Sequence, residues 1–170
     1  EEDEIYKDNF FKYFSKREIN YRSDKLHGKR NYWDSNGHIK SEELFKDNKW
    51  DGKQTYWYEN GQIESESNYS KGVQQGKWIC WHENGQIASQ VNYKNGVEDG
   101  CYSYWSENGQ KWTEDNYKNG IEHGKHTTWH ENGQKSLEYN YKDGKKDGKW
   151  STWHENGQIA SQVNYKNGVE

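Results

Sequence analysis

Residues 76–99 read Gly76-Lys77-Trp78-Ile79-Cys80-Trp81-His82-Glu83-Asn84-Gly85-Gln86-Ile87-Ala88-Ser89-Gln90-Val91-Asn92-Tyr93-Lys94-Asn95-Gly96-Val97-Glu98-Asp99. Two runs of six or seven residues are separated by Asn-Gly pairs. Such runs are long enough for a strand and too short for a helix, and Asn-Gly supplies the positive φ that hairpin turns need. The pattern recurs every 24 residues without insertion or deletion. Gly28, Gly52, Gly76, Gly100, Gly124 and Gly148 form one column, and Trp33, Trp57, Trp81, Trp105, Trp129 and Trp153 a second. Phe45, Tyr69, Tyr93, Tyr117, Tyr141 and Tyr165 form another. A fixed period in this range means stacked copies of one supersecondary unit. With no Pro to interrupt pairing, the expected fold is all-β: an elongated single-layer antiparallel sheet, a β-hairpin solenoid.

The domain reading is an N-terminal cap with a half repeat over 1–27, then six tandem repeats over 28–170. Tyr21 lies one period before Phe45, and the clustered aromatics of Asn9–Phe14 suit a cap over the first hairpin. Residues 81–98 and 153–170 are identical, as a recent duplication would leave them. The chain stops at a unit boundary, so an open strand edge is expected there, with edge-to-edge pairing of two copies as one use for it. Three-residue loops are expected at both turns, Glu59-Asn60-Gly61 and Lys94-Asn95-Gly96. That choice puts the Trp column, Ile63, the Tyr column and Val73 on one face, with the Trp residues as a structural spine.

Composition narrows the function classes. The chain has 10 Trp, 14 Tyr and 4 Phe but only 18 Ala, Val, Ile and Leu together. That is too little aliphatic volume for a thick core, so burial must come from aromatic ladders. A net charge of −4 gives no basic stripe for nucleic acid, and no apolar run approaches a membrane span. Residue 1 is Glu and Met is absent, so a processed or trimmed chain, with any signal peptide already removed, is expected. Cys80 and Cys101 fall in different columns with an odd offset, and two free thiols are expected.

Asp51-Gly52-Lys53 through Trp57-Tyr58-Glu59-Asn60-Gly61-Gln62-Ile63, and again Asp147-Gly148-Lys149 through Trp153, resemble the unit of the bacterial MORN-repeat variant family. The resemblance covers about residues 21–170. Departures are local: Asp34-Ser35-Asn36-Gly37-His38 in the first unit, Cys101 in place of Lys, and Lys111 and Lys135 in place of Ile. The resemblance implies an extended sheet of hairpins and no catalytic residue or cofactor. Some members are labelled antitoxins, and others belong to secreted or surface proteins associated with host interaction.

The face opposite the expected spine carries Tyr56, Tyr58, Trp78, His82, Tyr102, Tyr104, His126, His130, Trp150 and His154. Exposed rings beside polar groups stack on planar ligands, but rings also pair across strands to stabilise a thin sheet, and both readings stay open. His82, His130 and His154 share a column, yet adjacent units set such positions about 9.6 Å apart, too far for one zinc ion; no metal site is expected. No phosphate loop, nucleophile motif or cofactor fingerprint appears. The leading expectation is a non-enzymatic scaffold, secreted or on the cell surface, that binds a protein partner. Three alternatives are recognition of carbohydrate or choline-like groups, a cytoplasmic antitoxin-like partner of a toxin, and a spacer.

Overall fold

The computed structural model describes residues 4–8, as backbone, and 16–170; the expected cap over Asn9–Phe14 lies outside the described residues. The chain falls into two compact units, residues 1–85 and 86–170. The first contains β1 (Glu4–Asp8), β2 (Lys16–Arg22), β3 (Lys25–Trp33), β4 (Ile39–Lys46), β5 (Lys49–Trp57), β6 (Ile63–Ser70), β7 (Val73–Gln74) and β8 (Gly76–Trp81). The second contains β9 (Ile87–Lys94), β10 (Val97–Glu98), β11 (Gly100–Trp105), β12 (Lys111–Lys118), β13 (Ile121–Glu122), β14 (Gly124–Trp129), β15 (Lys135–Lys142), β16 (Lys145–Lys146), β17 (Gly148–Trp153) and β18 (Ile159–Tyr165). Within each unit the strands pair antiparallel in chain order. Each unit is an open meander of hairpins, as the period predicts.

The two turns of the repeat differ. At Glu59-Asn60-Gly61 the loop has three residues: the Tyr58 N–H donates to the Gln62 carbonyl at 2.9 Å, and Gly61 takes φ +82°. The Asn60 side chain accepts from the Gln62 N–H at 2.9 Å, which fixes the turn locally. At the second turn the expected three-residue loop is corrected. Lys94 pairs with Val97, leaving only Asn95 (φ 53°) and Gly96 (φ 80°) in the loop. Two consecutive positive φ values make a type I′ turn, whose twist matches that of the strands it joins.

Bulges reconcile an odd loop with an even one. Trp57 pairs with Ile63 but Tyr56 pairs with Ser65, so Glu64 is an extra residue. Glu66 faces Ile79 while Tyr69 faces Gln74, so two more extra residues lie along that strand pair. Each odd insertion turns the following side chains to the other face. The expected single aromatic face is therefore corrected. Trp57 and Ile63 share one face, and Tyr69, Ser67 and Ser65 lie on the other with Gln54 and Tyr56. Val73 pairs with Ser70, the neighbour of Tyr69, and so leaves the Tyr column's face as well. These are the Trp face and the Tyr face below.

Both faces are shallow. Ile19, Phe45 and Val91 are buried, but so are Ser41, Glu43, Gln54 and Ser67 on the Tyr face, and Thr55, Ser103, Thr127 and Ser151 on the Trp face. Polar residues fill the middle of a layer that, among the described residues, has no second sheet to cover it. Gly124, in the first glycine column, has a packing reason: its φ is +103°, and a Cβ there would sit 3.3 Å from the Asn116 Cβ. Asn116 lies across that glycine and donates to the Lys125 carbonyl at 2.7 Å.

Successive hairpins are tied at both edges. On the two-residue-turn edge the Gly120 N–H donates to the Glu98 carbonyl at 2.8 Å and the Gly144 N–H to the Glu122 carbonyl at 3.0 Å. On the other edge Asn60 Nδ2 donates to the Glu83 carbonyl at 2.7 Å, and Asn132 Nδ2 to the Glu155 carbonyl at 2.6 Å. Cys80 and Cys101 are not joined in a disulfide, as expected.

Candidate functional site

Tyr56, Trp78, Tyr102, Tyr104, His126 and Trp150 lie on the face opposite the Trp column, where the sequence reading puts them. Strand register pairs Tyr56 with Ser65, Tyr104 with Thr113, His126 with Tyr139 and Trp150 with Val163. Tyr58, His82, His130 and His154 do not join them. Each follows the last residue of a strand and immediately precedes a three-residue turn. The Tyr58 hydroxyl donates to the Trp81 carbonyl at 2.6 Å, and His130 Nε2 donates to the Trp153 carbonyl at 2.8 Å. These side chains fasten one turn to the next. Among the described residues no group of three His, Cys, Asp or Glu side chains could hold a metal ion, and no helix is long and apolar enough to cross a membrane.

In residues 1–85 the Tyr face is organised by an ion pair. Arg30 donates through Nε to Glu43 at 2.6 Å, and the Tyr56 hydroxyl donates to the same carboxylate at 2.9 Å. Glu43 is 5% exposed, so its charge is tolerable only because both oxygens are satisfied. Burial, reinforced by that carboxylate, raises the Tyr56 phenol well above its ordinary value. The guanidinium lies 4.5 Å from the Phe45 ring centre, and the ring series continues through Trp50 to Tyr69, whose centroids are 4.8 Å apart. Trp50, Tyr56, Tyr69 and Trp78 wall a cavity of about 90 Å³ with Gln54 and Ser67 at its base.

In residues 86–170 the equivalent face is a stack. Tyr139 lies against His126 at 4.1 Å and 11°, and against Trp150 at 4.3 Å and 19°. Tyr165 meets Trp150 edge-on at 5.3 Å. His126 Nδ1 contacts Asp115, and burial pushes the imidazole below its ordinary value. Burial and the nearby Glu122 charge push the Tyr139 phenol up to about 12. Lys146 Nζ sits over Trp150 at 4.1 Å and over Tyr165 at 4.7 Å. Of the rings proposed from sequence to meet a ligand, His126 and Trp150 are here both stacked on Tyr139.

The Trp face carries the six column tryptophans, all half-buried. Where Lys replaces the column Ile, its ammonium covers the rings: Lys111 lies 5.2 Å from Trp105 and 5.9 Å from Trp129. Lys135 covers Trp153 at 5.9 Å. Lys135 and Lys125 hold the Glu138 carboxyl below its ordinary range.

Sequence reading missed Trp50, Trp112 and the Arg30–Glu43 pair. Trp112 is 47% exposed and lies 6.0 Å from Tyr104. The available signal was that Trp50 and Trp112, like Trp78 and Trp150, stand outside the repeating Trp column.

No curated protein is found to be similar to this chain. The family described as MORN repeat variant matches residues 26–47, 50–71, 74–95, 98–119, 122–143 and 146–167. Those six matches take in most of a chain whose hairpins, glycine columns and turn ladders follow the same period, and the chain belongs to the MORN repeat variant family.

Proposed function

We propose that the chain is a non-catalytic scaffold that binds a protein partner, acting outside the cytoplasm or at the cell surface. One observation carries the binding reading. Val97, Ile121 and Val169 occupy the same position of their repeats on the two-residue-turn edge of residues 86–170, and they are 42%, 51% and 69% exposed. Val97 and Ile121, one repeat apart at about 9.6 Å, form an apolar pair on an otherwise charged rim, and Lys145 takes the position between Ile121 and Val169. Exposed apolar side chains with polar borders are what protein partners cover. Of the rings that a sugar would need, His126 and Trp150 are engaged with Tyr139 in this unit, which favours a protein over a carbohydrate.

The test compares proteins captured by the wild-type chain and by a Val97→Asp/Ile121→Asp variant, with Lys118→Ala as a neighbouring control. Loss of a saturable partner in the double variant alone supports the edge pair. Retention in the double variant removes it. Fractionation of the source cells checks the location, and a cytoplasmic pool would overturn that part.

A further inference from the structure

We infer that the cavity walled by Trp50, Tyr56, Tyr69 and Trp78 is a socket for an N–H-bearing cation, the ammonium end of a lysine side chain on the partner. The inference rests on the protein-partner reading and names a second contact for it.

Three observations converge. The first is an unsatisfied acceptor. Gln54 is 1% exposed; its Nε2 donates to the Leu44 carbonyl at 3.1 Å and the Gly52 carbonyl at 3.2 Å. Its Oε1 is buried and has no hydrogen-bond partner. With the amide nitrogen committed to two carbonyls, its orientation is fixed and the oxygen is left needing a donor. A buried acceptor without one is costly, and a ligand N–H removes that cost.

The second is the wall. Four aromatic rings line one small cavity, and aromatic rings attract ammonium and guanidinium groups. At about 90 Å³ the space is far below the roughly 300–1,000 Å³ of a small-molecule site. It takes the end of one side chain. Trp78 is the exposed wall, at 37%, and its displacement opens the way to Gln54.

The third is that the chain already uses this chemistry on its own Tyr faces. Arg30 lies over Phe45 at 4.5 Å and Tyr32 at 5.5 Å. Four repeats beyond Trp50, Gln54 and Tyr69 stand Lys146, Trp150 and Tyr165, and there the Lys146 ammonium rests on both rings. In residues 1–85 the equivalent of that lysine is Trp50, a further ring, so the cation must come from outside. The free acceptor excludes a quaternary ammonium as the best ligand, since it has no N–H for Gln54 Oε1.

The experiment titrates the full chain with Nα-acetyl-lysine N-methylamide while following the indole N–H signals by NMR. The comparison ligands are the isosteric norleucine compound and the trimethyl-lysine compound. Expected are saturable shifts at Trp50 and Trp78 with the lysine compound and at least tenfold weaker binding of the other two. Gln54→Leu should remove the preference for lysine over trimethyl-lysine. Because Gln54 also braces two carbonyls, Trp78→Ala, at an exposed position, serves as a second variant and should weaken lysine binding about fivefold or more, with Trp112→Ala unchanged. Equal binding of norleucine, tighter binding of trimethyl-lysine, or no saturable shift at Trp50 and Trp78 would overturn the inference. Failure here with partner capture intact removes only the socket; the converse removes only the edge pair.

Discussion

The Tyr faces of the two units use one cross-strand slot for different chemistry. In residues 1–85 the slot pairs Arg30 with Glu43, a buried charge satisfied by an ion pair and a tyrosine hydroxyl. In residues 86–170 the same slot, four repeats later, pairs His126 with Tyr139, and the rings stack. The strand register is alike in both, though the turn beside the first slot is Asp47-Asn48 and the turn beside the second is Asp143-Gly144. The repeat thus fixes where two side chains meet and leaves their identity free, which is how a family of this kind varies its surface without altering its frame.

Breaking the ion pair should have the largest effect. Glu43→Ala leaves Arg30 and the Tyr56 hydroxyl without their acceptor, and about 3 kcal/mol of stability should be lost in urea unfolding. The double variant Arg30→Met/Glu43→Leu should recover most of that loss, because an apolar pair of similar volume removes both desolvated charges. If it does not, the slot in residues 1–85 requires charge and the two units are less alike than their backbones.

Next comes the stack. Tyr139→Ala removes the ring between His126 and Trp150 and should cost about 2 kcal/mol, whereas Tyr139→Phe should cost less than about 0.5 kcal/mol. A large loss in the Phe variant would mean that the hydroxyl, not the ring, holds the slot together.

A smaller effect is expected at the second turn. Asn95→Ala places a residue with a Cβ and no compensating side chain at φ 53°, costing about 1 kcal/mol, read from the shift in midpoint. Asn60→Ala, at an ordinary φ, should instead lose the tie to the Glu83 carbonyl and show faster amide exchange confined to the neighbouring turn.

The smallest effect is on pH. Tyr139 holds its proton up to about 12 in the folded chain, against about 10 when unfolded. The folded state binds that proton more tightly, so the contribution is complete below pH 10 and declines as pH rises towards 12. Ultraviolet titration should show late-ionising tyrosines in the wild type, and Tyr139→Phe should remove one of them.

The period made the hairpins, the three-residue turn and the strand order legible, because each depends on residues that recur. The division of aromatics between faces was not legible. It hangs on an extra residue at position 64, a position filled elsewhere in the array by Ala88, Trp112, Ser136 and Ala160, so no residue type marks the bulge. Lys94-Asn95-Gly96 reads equally well as a three-residue or a two-residue loop, and only the pairing of Lys94 with Val97 decides. The Arg30–Glu43 pair occurs once, at positions occupied by Gln54 and Ser67 in the next repeat, and repetition gives no help with a feature that is not repeated.

The two edge ladders differ in what a sequence must supply. Along the two-residue turns the fastening includes main-chain bonds, Gly120 to Glu98 and Gly144 to Glu122, and any copied hairpin brings those atoms with it; Asp99 adds a side-chain link to the Asn119 N–H. Along the three-residue turns it depends on side chains such as Asn60 and Asn132, which mutation can delete. A new hairpin therefore arrives with a main-chain stitch on one margin and needs the side chains of its three-residue turn to close the other. Lengthening the array is a matter of copying 24 residues in phase, and the side chains around each three-residue turn are the adjustable part of the seam.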